Sequence, residues 1–178
     1  RLADREVLLR PFVRALEGTY IGQAEGASRW INGVTFVRPD QVATAGADGT
    51  LRLRDVANGR ERAVFHGATG PLTAVVASPS GERLLTVSSD GSCRSWDLVA
   101  LAPERRTWAV EENVFSLAFH RAGRLAVTAG WGGDVTVYDS ASGGKVRTWQ
   151  GHRQSGVGAA WSRDGEYIAT SGNDGAVV

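Results

Sequence analysis

The sequence predicts an all-β fold, a β-propeller of four-stranded antiparallel blades, on three observations. A turn pair recurs every 42 residues, as Asp48-Gly49, Asp90-Gly91, Gly132-Gly133 and Asp174-Gly175. A threonine stands four positions before each pair, at Thr44, Thr86, Thr128 and Thr170. Six positions after the first three turns come Arg54, Trp96 and Tyr138, each followed by an aspartate at Asp55, Asp97 or Asp139. A period of this length marks a repeat architecture, in which each unit buries its apolar surface against its neighbours rather than alone.

Each period divides into short β-prone runs separated by turn residues. In the second unit Leu84 to Val87 form a strand, Asp90-Gly91 a tight turn, and a second strand ends in Trp96-Asp97. Asp-Gly between β-prone runs is the strongest short hairpin signal. Upstream of each turn lies another strand closed by a polar corner. These are Val34-Thr35-Phe36 before Arg38-Pro39-Asp40, Val75-Val76-Ala77 before Ser78 to Gly81, Leu117-Ala118-Phe119 before His120 to Gly123, and Ala159-Ala160-Trp161 before Ser162 to Gly165. Downstream comes a fourth strand, at Arg62 to Phe65, Arg105 to Trp108 and Lys145 to Trp149. A lone sheet of four short strands cannot cover both its apolar faces, and copies stacked around an axis can. The blades fall at about 27–66, 67–109, 110–151 and an incomplete 152–178.

Residues 1–26 hold one more candidate strand. Phe12 to Leu16 aligns with the outer strand at Lys145 to Trp149, which makes it the outer strand of a preceding or closing blade, followed by an insertion loop over Tyr20 to Arg29. Leu8, Phe12 and Leu16 are also spaced as on a helix face, which Pro11 interrupts.

These features together resemble the WD-repeat (WD40) family. The resemblance rests on Trp96-Asp97 and Tyr138-Asp139 at strand ends, Gly151-His152 opening the last unit, the Ser78 to Gly81 and Ser162 to Gly165 corners, and the 42-residue period. Such rings are usually seven-bladed, so the resemblance implies about four blades of a larger ring. It also implies, within each blade, a hydrogen-bonded chain of strand Ser/Thr, turn Asp, strand Trp and the His of Gly-His. The second unit has Thr86, Asp90 and Trp96, with Ala68 at the His position. The fourth has His152, Thr170 and Asp174. The first has Thr44 and Asp48 but Arg54 for Trp, and the third has Thr128 and Tyr138 but Gly132 for Asp. No unit carries the full set, and the role of these positions is structural.

Composition narrows the function classes. The chain is 42% hydrophobic with a formal net charge of +1, and its basic residues are scattered, so it has no polybasic footprint for nucleic acid or anionic membrane. No apolar run approaches the roughly 18 residues that span a bilayer. The single Cys93 allows no cysteine metal cluster. His66, His120 and His152 fall at different heights of the repeat and do not converge as metal ligands or as a base beside a nucleophile. Ser142-Gly143-Gly144-Lys145 lacks the spacing of a phosphate loop. The chain is therefore expected to be non-catalytic and to need no cofactor or metal.

Binding is the better expectation, because propeller loops display side chains on a rigid frame. By resemblance, the turns and the connections entering each first strand share the family's usual recognition face. The residues just before the turn Asp positions include Ser89, Trp131 and Asn173. Trp131 stands out, since no partner strand covers it and Trp is enriched at interface hot spots. Trp30 and Phe115, near the starts of first strands, are either further contacts or packing between blades. Trp96, Trp108, Trp149 and Trp161 occupy repeated core positions.

The expected function is a protein–protein interaction scaffold that holds a protein or peptide partner on the turn face, within a multiprotein complex. Its setting would be the cytoplasm, or the nucleus in a eukaryote. The alternative is a regulatory or sensor propeller attached to a signalling ATPase or kinase domain outside this chain. A ribonucleoprotein component is a weaker alternative.

Overall fold

The computed structural model describes residues 30–99, 102–110 and 113–178. The candidate strand at 12–17 and the insertion before Trp30 lie outside the described residues. Every element among those described is a strand. Three four-stranded antiparallel sheets follow one another in chain order. The first is β1 (Ile31–Arg38), β2 (Gln41–Gly46), β3 (Leu51–Asp55) and β4 (Glu61–Phe65). The second is β5 (Leu72–Ala77), β6 (Arg83–Ser88), β7 (Ser92–Asp97) and β8 (Ala102–Ala109). The third is β9 (Val114–Phe119), β10 (Leu125–Gly130), β11 (Asp134–Asp139) and β12 (Lys145–Gln150). A fourth sheet pairs β13 (Gly156–Trp161) with β14 (Ile168–Gly172). Beyond it Thr170 and Val178 exchange backbone hydrogen bonds of 2.8 and 2.9 Å, as neighbouring strands do.

The core sits between sheets rather than within them. Leu51, Leu53 and Phe65 of blade one pack with Leu72, Leu84 and Trp96 of blade two. Leu85, Val87 and Cys93 of blade two pack with Val114, Leu117 and Tyr138 of blade three, with Trp108 partly buried beside them. Val127, Val135 and Val137 of blade three are covered by Trp149 and by Trp161 and Ile168 of blade four. Successive residues of a strand point to opposite faces, so Leu84 and Leu85 serve two different seams. For that reason β2, β6 and β10 are buried along almost their whole length and read as continuous apolar or small runs.

The turns are three-residue loops, one residue longer than the tight Asp-Gly turn that the sequence suggests. In the first, the Gly49 N–H donates to Gly46 O at 3.1 Å and the Gly46 N–H to Thr50 O at 2.9 Å. Gly49, Gly91, Gly133 and Gly175 have φ of 78°, 79°, 81° and 76°. This is a turn closed by a left-handed glycine, the second commonest way to join a hairpin. The dipeptide marks the turn correctly, and the left-handed position falls on its glycine.

Candidate functional site

The turns and the connections into each first strand meet at one end of every blade. The N–H before each turn Asp position donates to the connection: Ala47 to Trp30 O at 2.8 Å, Ser89 to Pro71 O at 2.9 Å, Trp131 to Asn113 O at 3.0 Å, and Asn173 to Ser155 O at 2.9 Å. Ser89, Trp131 and Asn173 thus lie at equivalent turn positions of blades two to four, with Ala47 at that position in blade one, and Trp30 lies on the connection that faces Ala47; Trp30, Ser89, Trp131 and Asn173 are all exposed. The polar corners and remaining loops lie at the opposite end.

The turn aspartates hold this end together. Asp174 Oδ1 is 3.0 Å from His152 Nδ1, whose other nitrogen is 3.0 Å from Thr170 Oγ1. Asp174 Oδ2 accepts the Arg153 N–H at 2.9 Å. His152 is buried, so this chain ties turn, connection and strand of blade four together. In blade two the Trp96 Nε1–H donates to Thr86 Oγ1 at 2.9 Å, but Ala68 supplies no imidazole. Arg94 replaces it. Its guanidinium meets Asp90 Oδ2 at 2.9 Å and the Ser92 hydroxyl, while Asp90 also accepts the Thr69 N–H at 3.1 Å. Blade one repeats the substitution, with Arg52 3.5 Å from Asp48 and 2.8 Å from Glu61. Arg54, at the Trp position, reaches Gly59 O at 3.2 Å and Glu61 at 3.2 Å. Thr44 is buried beside them in β2. Asp90 stands at an exposed turn, yet only 13% of its side chain meets solvent.

Burial pushes the Asp90 carboxyl up, but the hydrogen bonds from Arg94, Ser92 and the Thr69 N–H outweigh it and hold the group well below the usual carboxylate range. Asp174 is also lowered, first by the Arg153 N–H and then by that of Ala176. A carboxylate lowered in the folded state stabilises above its unfolded pKa, about 4, and loses that contribution as pH falls towards the folded value. Urea midpoints between pH 7 and pH 3 should therefore fall below about pH 4. Asp90→Asn should lower the midpoint at pH 7 and flatten the acid slope. An unchanged slope would contradict this account of Asp90.

Blade three is built differently. Gly132 provides no carboxylate, and Val110 stands 42 residues before His152, where an imidazole would sit. Thr128 Oγ1 turns to Thr136 O at 3.4 Å, and Tyr138 packs against Trp108 with ring centroids 6.4 Å apart. A cavity of about 20 Å³ is left among Val110, Thr128, Asp134, Thr136 and Tyr138, room for roughly one water molecule. In the same blade the side chains of Phe115 and Trp131 meet, with ring centroids 6.3 Å apart and planes inclined at 53°. Trp131 is 66% exposed and Phe115 39%.

Phe115 occupies a bulge position that does other work elsewhere. The register of each first strand shifts at Asn32, Thr73, Phe115 and Val157. Asn32 Nδ2 donates to Leu72 O of the next blade at 2.8 Å, and Thr73 Oγ1 to Val114 O at 2.7 Å. A phenyl ring cannot donate, so the third seam uses Ser116 Oγ, which accepts the Ala159 N–H at 2.9 Å.

Residues 59–97, 105–139 and 143–178 match the family described as WD domain, G-beta repeat, and together make up more than half of the chain. The chain belongs to the WD-repeat family. It is 36% identical over 107 residues to cilia- and flagella-associated protein 52 of Chlamydomonas reinhardtii, a match covering 59% of this chain and 17% of that protein. It is 26% identical over 164 residues to pre-mRNA-processing factor 19 homolog 2 of Arabidopsis thaliana, covering 89% and 31%. It is 32% identical over 146 residues to coronin-7 of Homo sapiens, covering 76% and 16%. The chain spans less than a third of the length of each of these relatives.

Among the described WD-repeat blades, the structure brings together two of the sequence-predicted contact residues, Phe115 and Trp131. Trp30, 74% exposed, stands on blade one, and Ser89 and Asn173 on blades two and four, with no ring contact to that pair. Two features escape a reading that looks for His and Trp. One is the Asp–Arg pair of blades one and two, whose signal is a shared four-residue spacing from Asp48 to Arg52 and from Asp90 to Arg94. The other is the polar bulge residue of the first two seams. No group of three or more His, Cys, Asp or Glu among the described residues is placed to hold a metal ion.

Proposed function

We propose that this chain is a non-catalytic protein-interaction module that engages a protein or peptide partner at the turn end, with Trp131 as the anchor and Phe115 beside it. The observation that carries this reading is the exposed aromatic pair in the blade whose turn lacks the aspartate lock. Repeated hydrogen bonds fix the backbone on either side of the pair, so little order has to be imposed on binding, and a rigid aromatic contact of this kind is what interface hot spots are made of. WD-repeat membership supports a scaffold role, and the relatives' names, which include a pre-mRNA-processing factor and a cilia-associated protein, fit membership of large assemblies.

The test is capture of partners by the full-length protein. Trp131→Ala should reduce specific capture by at least about tenfold, the usual scale for a hot-spot tryptophan. It should leave the melting temperature nearly unchanged, because the ring is largely in solvent. Undiminished capture with the fold intact would overturn the assignment.

A further inference from the structure

We propose that position 115 is released from holding the fold and given over to recognition. Ser116 carries the bond between blades three and four, which leaves Phe115 free to hold Trp131 towards a partner; this second half rests on the recognition reading above. In each of the first two seams the bulge residue of one first strand donates to the carbonyl just before the bulge of the next. Asn32 Nδ2 reaches Leu72 O at 2.8 Å, and Thr73 Oγ1 reaches Val114 O at 2.7 Å. The residues that follow, Gly33 and Ala74, have no hydrogen-bonding side chain. In blade three both choices are reversed: Phe115 cannot donate, and Ser116 Oγ accepts the Ala159 N–H at 2.9 Å. The first seam shows why a serine serves there. A Cβ added at Gly33 would stand 3.1 Å from the backbone nitrogen of Val75, the counterpart of Ala159 in blade two. A side chain one place after the bulge therefore points at an N–H of the neighbouring blade.

Folding alone does not account for Phe115. Its ring is 39% exposed and stands outside the cores on both sides of blade three. It gains less from burial than a core phenylalanine, and it forgoes the bond that an asparagine or threonine makes at this place. What it gains is the contact with Trp131 at the turn end. A position where seam stability is given up with no return in the core is where a binding residue is expected. Phe115 is a positioning residue acting through Trp131, and the serine beside it replaces the lost seam bond.

The test uses full-length protein carrying Ser116→Ala, Phe115→Thr or both. Its readouts are thermal melting, amide exchange at Ala159, and partner capture scored as for Trp131→Ala. Ser116→Ala should speed exchange at Ala159 by about tenfold and lower the melting temperature, with capture unchanged. Phe115→Thr should cut capture severalfold without lowering the melting temperature, because a threonine there can donate to Gly156 O as Thr73 does to Val114 O. For the same reason it should restore the melting temperature in the double variant. A melting temperature lowered by Phe115→Thr as much as by Ser116→Ala would make Phe115 a packing residue and overturn the proposal. Unchanged exchange at Ala159 in Ser116→Ala would overturn it too. Capture lost in Trp131→Ala but kept in Phe115→Thr would overturn the role of Phe115 and leave the recognition reading standing, whereas capture kept in both would overturn that reading as well.

Discussion

Trp96→Ala is expected to destabilise the second blade by about 3–5 kcal/mol, the range for truncating a fully buried tryptophan. Trp96 is 1% exposed and lies at the seam of blades one and two, its ring 5.5 Å from that of Phe65. Its indole N–H is also the donor to Thr86, which is itself fully buried. The variant therefore opens a cavity and strands a hydroxyl. Trp96→Phe separates the two effects, since it keeps most of the ring and loses only the hydrogen bond, for about 1–3 kcal/mol. Hydrogen exchange of the β6 and β7 amides reads both. Exchange should accelerate strongly in the alanine variant and moderately in the phenylalanine variant. Equal rates in the two would show that the Trp96–Thr86 bond, rather than packing, dominates.

Gly133→Ala is the second large effect. Gly133 is buried with φ of 81°, a conformation that costs a residue with a Cβ about 1–2 kcal/mol. The added methyl would also collide with the carbonyl oxygens of His152 and Gln154. Those atoms cannot yield independently, because Gly133 O accepts the N–H of both Gly151 and His152 at 3.0 Å. The strain would pass into the His152–Thr170–Asp174 chain of the next blade. A total above about 3 kcal/mol is expected, with loss of protection in both β11 and β14. Gly175→Ala provides the comparison, since φ is 76° there but nothing lies within 4 Å of the added methyl. It should cost only the conformational part, about 1–2 kcal/mol. Equal costs at the two sites would mean that the contact between blades three and four carries no strain.

The blades were legible in the sequence because the repeat places the same residue types at the same heights. Thr44, Thr86, Thr128 and Thr170, with the turn glycines, locate the second strand and hairpin of every unit without any tertiary information. The sheet order follows from short connections, which join neighbours. Substitution within the repeat was harder to read. Ala68 looked like a missing partner for Asp90, whereas Arg94 supplies the donor from the neighbouring strand position. Only the folded backbone shows that a residue four places after the turn points back at it. The seam bonds of Asn32 and Thr73 join residues 40 and 41 apart in sequence, and such partners are set by the stacking of blades, which no local propensity encodes. Trp131 was visible as an irregularity of the repeat. Its contact with Phe115 was not, because it depends on the bulge in β9 and on the turn after β10 meeting at one end.

On the proposed function, position rather than exposure makes Trp131 a contact residue. Tyr167 allows a direct comparison. It is 72% exposed against 66% for Trp131, but it belongs to the corner at the opposite end, where its N–H donates to Ser162 Oγ at 2.9 Å. In full-length protein, partner capture by Trp131→Ala and Tyr167→Ala should be measured side by side. Loss of at least about tenfold is expected for Trp131→Ala and none for Tyr167→Ala. Equal losses, or a loss confined to Tyr167→Ala, would contradict it.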